Sequence, residues 1–344
     1  MVATRHIWRL ARRPVGSVAE GDMVFGEEAV PDLAEGEFLL KVLYLSLDPT
    51  NRIWMSDAEQ YMPPVELGAP MRGLVAGRVV KSRKDGVAEG DLYSGFGLWA
   101  DLMVTDGGGL NRIELPPGVP LSVAFGVLAL VGPTAYFGLL DLGRPKAGET
   151  LVVSAAAGGV GQVVGQIGKL KGCRVIGIAG GPEKCRFLTE ELGFDAAIDY
   201  RNEDVGARLD ALAPDGIDID FEQVGGPVMN AVVSRMRLHG RVVLCGLISR
   251  YNDTEEREDS GYWRLVLMRR LSIHGFIVTD FAGRWAEALA ALGGWMADGS
   301  IRTRQDVRPG LDRALEYLDA LYTGGNFGKL LVEVGAGDTG GTAR

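Results

Sequence analysis

A glycine-rich segment, residues 154–161, has the residue types of a phosphate cradle. It lies between an apolar run, Leu151–Ser154, and a helical run, Gln162–Lys171, and fits the spacing A-x-G-x-x-G. Gly158 lets the backbone approach a pyrophosphate, Gly161 lets the helix pack on the strand, and the helix N-terminus directs N–H groups at the phosphates. A tight turn without a ligand is the alternative, but strand, glycines, helix and second strand in succession favour dinucleotide binding. The predicted cradle residues are Ala156, Gly158, Gly159, Val160 and Gly161.

The end of the second strand of this unit indicates which dinucleotide is bound. A site for NAD usually carries Asp or Glu there, which holds the ribose 2′-hydroxyl. This chain has Ala179-Gly180-Gly181 instead, so no carboxylate repels a 2′-phosphate, and Lys184 follows three residues later as a countercharge. NADP is therefore the predicted cofactor, with a solvated helix lysine as the alternative interpretation of Lys184.

The potential metal ligands are scattered along the chain. His6, His239 and His274 are far apart in sequence, and Cys173, Cys185 and Cys245 form neither a close set nor a C-x-x-C pair. Catalytic and structural zinc sites of dehydrogenases need such clusters, so no metal is expected. Three widely spaced cysteines also predict no disulfide framework and favour a reducing cytoplasm.

Composition limits the class of protein further. The 344 residues suggest about two domains, and 47% hydrophobic with 24% charged residues is ordinary globular usage. A net charge of −9 opposes nucleic-acid binding. The longest apolar run, Val123–Val131, is too short for a membrane span and contains Gly126, so no membrane partner is expected. The arginines near the N-terminus fit a basic edge strand better than a transit peptide.

The elements that position these residues change in style along the chain. Up to about residue 125, short alternating runs broken by Gly, Pro and Asp predict an antiparallel β module. From Thr150, buried β runs alternate with helical segments, which predicts an α/β fold with a doubly wound parallel sheet. The predicted later elements include helices at Val228–Met236 and Trp285–Met296 and a strand at Ile273–Val278. A polar loop is expected at 251–260.

Several longer motifs resemble one protein family over nearly the whole chain. They are Gly132-Pro133-Thr134-Ala135-Tyr136-Phe137-Gly138-Leu139, the glycine-rich segment with its flanks, Phe221-Glu222-Gln223-Val224-Gly225-Gly226, His274-Gly275-Phe276-Ile277-Val278 and Gly325-Asn326-Phe327-Gly328-Lys329. They resemble the leukotriene B4 dehydrogenase/prostaglandin reductase branch of the zinc-independent medium-chain dehydrogenases/reductases, which includes bacterial curcumin reductases and plant alkenal reductases.

The resemblance implies an architecture and a set of cofactor contacts. A GroES-like β-rich catalytic domain would span 1–125 and be completed by 300–335, a Rossmann NADP-binding domain would span 126–299, and 336–344 would be a flexible tail. The cofactor would lie in the cleft between the domains, and a homodimer would form through the edge strand of the Rossmann sheet. The implied contacts are Lys184 and Tyr200 for the 2′-phosphate and adenosine end, Tyr251 for the phosphates, and Thr134 and Asn326 for the nicotinamide end.

Two positions depart from the family pattern. Gln223 stands where relatives commonly have Asn, and it can still hydrogen-bond the cofactor. Thr50, in Asp48-Pro49-Thr50-Asn51-Arg52, stands where relatives often have a tyrosine. The second departure leaves the substrate open.

Without zinc to polarise an alcohol, reduction of a conjugated C=C bond is the favoured chemistry. Hydride from NADPH attacks the β-carbon of an enone, and hydrogen-bond donors stabilise the enolate. Water or a tyrosine then protonates the α-carbon. The candidates are Tyr61, Tyr262 and Tyr251, and Trp54, Met55, Met62 and Trp99 form either an apolar substrate wall or part of the core.

The expected partner is a small hydrophobic enone or enal. Two other functions stay open on the sequence alone. One is a quinone reductase of the same fold, and the other is a non-catalytic NADPH-binding redox sensor.

Overall fold

The computed structural model describes residues 3–115, 118–255 and 262–335. By its internal contacts the chain divides into two units. One takes residues 1–129, 305–325 and 330–344, and the other takes 130–304 and 326–329. The predicted tail at 336–344 and part of the predicted polar loop, 256–260, lie outside the described residues. The assignment of a catalytic and an NADP-binding domain to particular residue ranges stays a prediction.

The strands and helices follow one another in a fixed order. The strands are β1 Thr4–Leu10, β2 Met23–Ala29, β3 Phe38–Ser46, β4 Arg72–Ser82, β5 Leu92–Leu98, β6 Leu102–Thr105, β7 Leu110–Arg112, β8 Thr150–Val153, β9 Arg174–Ala179, β10 Ala196–Asp199, β11 Ile217–Glu222, β12 Met236–Leu244, β13 Ser272–Gly275, β14 Gln305–Pro309 and β15 Lys329–Glu333. The helices are α1 Thr50–Trp54, α2 Leu121–Leu128, α3 Val131–Phe137, α4 Gly159–Leu170, α5 Pro182–Arg186, α6 Val205–Leu212, α7 Gly226–Val233, α8 Trp263–Arg269, α9 Trp285–Ala297 and α10 Ala314–Thr323.

The first unit is built on antiparallel strands. Its larger sheet has the order β14-β15-β3-β4-β5-β7, with β6 also paired to β3, and β1 pairs with β2 in a separate ribbon. Alternation along β3 buries one face, because Phe38, Leu40 and Val42 all lie in the core. Trp54, Met55 and Trp99 join the same buried cluster, and Met62 packs against it. Core packing therefore accounts for the four residues considered as a substrate wall.

The second unit is a parallel sheet of the predicted kind. Its order is β10-β9-β8-β11-β12-β13, and every neighbouring pair is parallel. The first strand, β8, has β9 on one side and β11 on the other, so the chain changes direction across the sheet at β8. Ligands of such sheets bind outside the carboxyl ends of the strands at this switch point. The predicted α/β class with a β-rich module and a doubly wound parallel sheet is confirmed.

Some predicted elements are wrong in extent. The predicted helix Val228–Met236 ends at Val233, because Met236 pairs with Ile217 at the start of β12. The register along β12 then shifts, and His239 takes a left-handed φ of 64° at this irregularity. The predicted strand Ile273–Val278 stops at Gly275.

The helices at 121–137 were not predicted, and they belong to the longest apolar helical run. The run Leu121–Gly143 has 23 residues and a hydropathy of 1.9 in its most apolar window, so it could span a membrane by length and composition alone. The sequence prediction concerned uninterrupted apolar residues, and Ser122, Thr134 and Asp141 interrupt this run. In this protein 67% of that window is buried inside the structure, and burial in a core accounts equally for an apolar helix.

Candidate functional site

The glycine-rich segment forms the turn from β8 into α4. A Cβ on Gly161 would lie 2.5 Å from the Ala155 oxygen and 2.7 Å from the Ala156 Cα, so only glycine lets helix and turn pack this closely. A Cβ on Gly158 would meet only the Ala155 oxygen, at 3.1 Å, which leaves open space in front of the turn. The helix begins at Gly159, and the first N–H groups of an α-helix have no partner within the helix. The arrangement fits an anionic group such as a pyrophosphate.

Backbone hydrogen bonds hold this turn in an uncommon conformation. Ala155 has a left-handed φ of 46°, which is uncommon for a residue with a Cβ. The Ala156 N–H donates to the Ile178 oxygen at 3.0 Å, and the Gly158 N–H donates to the Ala155 oxygen at 2.9 Å. The turn is thus attached to the neighbouring strand β9 before any ligand binds.

A buried polar network joins the ends of β8 and β11. The Ser154 hydroxyl donates to the Glu222 carboxylate at 2.9 Å and accepts from the Gln223 N–H at 2.8 Å. The Gln223 side chain donates to the Ser154 backbone oxygen at 2.6 Å, and the Gly225 N–H donates to the Glu222 carboxylate at 2.8 Å. Gln223 therefore lies beside the glycine-rich segment, and its predicted contact with the cofactor stays a prediction.

The acids in this network lie in a low-dielectric environment. Burial raises the pKa of Glu222, although hydrogen bonds from Gly225, Val224 and Ser154 act in the opposite direction. Burial, and then the nearby Glu222, raise the pKa of Asp220 well above its ordinary value. Burial and Glu222 likewise raise the pKa of the Cys245 thiol to about 12, so this thiol is neutral at physiological pH.

The end of β9 forms a second part of the site. Tyr200 and Arg201 follow the neighbouring strand β10, and a Cβ on Gly180 would lie 3.0 Å from the Tyr200 hydroxyl oxygen and 2.9 Å from the Arg201 Nε. We call the space around Gly180, beside Tyr200 and Arg201, the crevice. Lys184 lies half-buried in α5, four residues after Gly180. The structure thus brings together Tyr200 and a cation, Arg201, that sequence reasoning missed.

A loop from late in the chain docks on the glycine-rich segment. Gly328 forms a bridge with Gly158, and its N–H donates to the Ala157 oxygen at 3.0 Å. The Asn326 side chain donates to the Gly328 oxygen at 3.0 Å. Asn326 therefore lies beside the cradle and its amide nitrogen holds the loop in place, while its predicted contact with the nicotinamide end stays a prediction.

Two glutamines on α4 hold another segment from late in the chain. Gln162 exchanges hydrogen bonds with the backbone of Arg304, at 3.1 and 2.8 Å. Gln166 does the same with Arg302, at 2.8 and 2.9 Å. Their four-residue spacing places both on one face of the helix. The sequence signal for this role is two glutamines, Gln162 and Gln166, within an otherwise apolar helix.

The two remaining predicted cofactor contacts use their hydroxyl groups internally. The Thr134 hydroxyl donates to the Leu130 oxygen at 2.8 Å within α3. The Tyr251 hydroxyl accepts a hydrogen bond from the Leu247 N–H at 3.0 Å, in the turn that follows β12. Tyr251 therefore lies on a turn after a strand of the parallel sheet, near Gly246.

The candidate proton donors have different surroundings. In the first unit, the Tyr61 hydroxyl contacts the Thr50 hydroxyl and accepts from the Trp54 indole at 2.9 Å. Burial raises the pKa of Tyr61, so its phenol keeps its proton at neutral pH. Tyr262, in the second unit, packs against the apolar core cluster and lies 5.4 Å from Trp263 between ring centroids. A packing role accounts for Tyr262 more simply than it does for Tyr61.

Metal ligands and disulfides complete the description. Within residues 3–115, 118–255 and 262–335, no three His, Cys, Asp or Glu side chains are grouped so that they could hold a metal ion. Cys173, Cys185 and Cys245 are free thiols.

Comparison with known proteins identifies the family. Residues 6–113 match the family described as the N-terminal domain of oxidoreductase, and residues 159–293 match the family described as zinc-binding dehydrogenase. The chain is 43% identical over 336 residues to the NADPH-dependent curcumin reductase of Escherichia coli, which covers 96% of this chain and 97% of the relative. It is 37% identical over 330 residues to mouse prostaglandin reductase 1, covering 95% and 98% of the two chains.

A solved structure agrees with these relatives. CurA of Vibrio vulnificus, in complex with NADPH, superposes with a TM-score of 0.91 at 41% identity and covers 96% of this chain and 100% of its own. The chain therefore belongs to the medium-chain dehydrogenases/reductases, in the zinc-independent branch that contains the curcumin and prostaglandin reductases.

Proposed function

We propose that this protein is an NADPH-dependent reductase that saturates the activated C=C bond of α,β-unsaturated ketones or aldehydes. Near full-length similarity at 43% identity to a curcumin reductase carries the proposal. The cradle of the second unit supports it, because Gly161 tolerates no side chain and a Cβ on Gly158 would meet only one backbone oxygen. Homodimer formation and a cytoplasmic location stay predictions.

The predicted site residues would hold the cofactor along its length. The N-terminus of α4, with Gly158, would hold the pyrophosphate, and Lys184 with Tyr200 would hold the adenosine end. Gln223, Tyr251, Thr134 and Asn326 would line the remaining length. When bound, the nicotinamide supplies a hydride to the β-carbon of the substrate.

Tyr61 is the best-supported proton donor for the α-carbon. Its hydroxyl accepts the Trp54 indole N–H, so its own proton is available to Thr50 or to a substrate. The raised pKa keeps that proton in place until a basic carbon approaches. Thr50 stands where relatives often have a tyrosine. Its hydroxyl contacts and positions the phenol of Tyr61.

Isotope labelling tests the reaction directly. Purified protein is incubated with a hydrophobic enone, an enal and a naphthoquinone, each with NADPH or NADH, and the products are identified by mass and NMR. Reduced cofactor deuterated at its transferable position should deliver deuterium to the β-carbon, and D₂O should label the α-carbon. Turnover of the quinone alone would favour the quinone reductase alternative, and binding without turnover would favour the redox sensor.

A further inference from the structure

The crevice at the end of β9 contains an arginine that the family pattern did not point to. NAD sites usually place an acidic side chain at the end of this strand, where it would meet the ribose. Here residue 180 is glycine, and a Cβ at this position would lie 2.9 Å from the Arg201 Nε and 3.0 Å from the Tyr200 hydroxyl oxygen. A guanidinium and a phenol therefore occupy the space beside the position that an acidic side chain would take.

Backbone hydrogen bonds fix Arg201 relative to the crevice. The buried carboxylate of Asp199 accepts the Gly181 N–H at 2.7 Å and the Arg201 N–H at 3.1 Å. Its other oxygen accepts the Asn202 amide at 2.7 Å. Burial acts to raise the pKa of Asp199, but these hydrogen bonds lower it overall, so the carboxylate stays ionised. The Asp199 carboxylate thus links the backbone at Gly181, on one side of the crevice, to the backbone at Arg201, on the other side.

Asp199 binds two backbone N–H groups and the Asn202 side chain, and the guanidinium of Arg201 lies beside Tyr200. The Arg201 Cζ lies 5.9 Å from the centroid of the Tyr200 ring. A planar guanidinium can bind a phosphate through two parallel hydrogen bonds, which a lysine cannot do. The crevice therefore combines a guanidinium on an anchored backbone, a phenol hydroxyl and a nearby lysine, with no side chain at residue 180.

We propose that Arg201 binds the 2′-phosphate of NADPH and, with Lys184, determines the preference for NADPH over NADH. The inference rests on the proposed NADPH-dependent function and adds a specificity-determining residue to it. An arginine at this place could instead stack on the adenine ring. The two roles are separable, because NADH carries the adenine but lacks the 2′-phosphate.

Binding measurements without any enone test the inference. The dissociation constants of NADPH, NADH, 2′,5′-ADP and 5′-ADP are measured by calorimetry for wild type, Arg201→Gln and Arg201→Lys. Arg174→Gln is the matched control. Arg174 begins β9, at the end of the strand opposite the crevice, and its side chain donates to the Leu212 backbone oxygen. Thermal melting of each variant reports whether it folds.

Arg201→Gln should weaken NADPH and 2′,5′-ADP by about 10- to 100-fold, as expected for loss of a charge-assisted hydrogen bond. NADH and 5′-ADP should change less than about twofold, Arg201→Lys should be intermediate, and the control should match wild type. Equal weakening of all four ligands would mean adenine stacking and would overturn the inference. Unchanged NADPH binding would overturn it as well.

The outcomes also separate this inference from the proposed function. Wild-type protein that prefers NADPH, with a preference unchanged in Arg201→Gln, overturns only the role of Arg201. Wild-type protein that binds NADPH and NADH equally overturns both the NADPH preference and this inference. Failure to reduce an enone, with the expected binding pattern intact, overturns the reaction and leaves the role of Arg201 standing.

Discussion

Replacing Gly161 and Gly158 with alanine would separate packing of the glycine-rich segment from ligand access to it. At Gly161 the new methyl group would lie 2.5 and 2.7 Å from two backbone atoms, neither of which can rotate away. Overpacking costs about 1–3 kcal/mol, and the better helix propensity of alanine offsets up to about 1 kcal/mol of it. We expect Gly161→Ala to lose about 1–2 kcal/mol and to lower the Tm by about 2–8 °C.

Gly158→Ala should behave differently. Only the Ala155 oxygen, at 3.1 Å, lies near the new methyl group, and the backbone at φ −85° and ψ −177° is extended and open to alanine. The Tm should therefore fall less than in Gly161→Ala, because only one backbone oxygen has to move to admit the methyl group. NADPH should bind at least about 10-fold more weakly, because the methyl group takes the space through which a pyrophosphate approaches.

Thermal melting without cofactor and calorimetric titration with NADPH are the two assays. A Gly161→Ala variant as stable as wild type would show that the turn relaxes at no cost, which would refute the packing argument. A Gly158→Ala variant that binds NADPH as tightly as wild type would refute the position assigned to the pyrophosphate. Each variant serves as the control for the other.

Three further outcomes are expected. Lys184→Ala should raise the KM for NADPH by about 10- to 150-fold more than the KM for NADH, and equal effects would show that Lys184 does not contact the 2′-phosphate. Tyr61→Phe should lower kcat for enone reduction by about 100-fold while leaving the Kd of NADPH unchanged, and an unchanged kcat would exclude it as the proton donor. Leu267→Glu, at a leucine 68% exposed on α8, should convert a dimer to a monomer in light scattering after size exclusion, and a monomeric wild type would contradict the predicted dimer.

Matched controls exist for each of these variants. Lys171→Ala removes a lysine from the exposed end of α4, away from the crevice. Tyr93→Phe removes a phenol hydroxyl from another tyrosine of the first unit, one whose ring packs against Phe38. Val24→Glu places the same acid on another exposed apolar residue, in β2.

The fold class was accessible from the sequence because its signals are local. Buried Val- and Ile-rich runs in β8 and β9 indicate parallel strands directly, and the glycine spacing indicates the turn between them. The helices at 121–137 were missed because an apolar helix buried on most sides lacks the periodic polar positions that mark a surface helix. The start of β12 at Met236 was missed because it depends on pairing with Ile217, nineteen positions earlier in the chain.

The candidate site was only partly accessible for a related reason. Ala156, Gly158 and Gly161 follow a spacing rule, whereas the Ser154–Glu222 hydrogen bond joins residues 68 positions apart. No pattern within one segment indicates such a pair. Arg201 was missed likewise, because its place beside Gly180 follows from the pairing of β9 with β10. Side chains brought together by strand order cannot be predicted from spacing along the chain.

The docking of Gly328 on Gly158 also affects how the protein is made. The ribosome synthesises the glycine-rich segment well before its Gly328 bridge and before the backbone partners of Gln162 and Gln166, which follow these glutamines by 142 and 136 residues. Contacts that close such long loops form late in folding. The nascent protein should thus acquire a complete nucleotide cradle only after residue 328 has been synthesised, and a chain truncated before residue 302 should lack it.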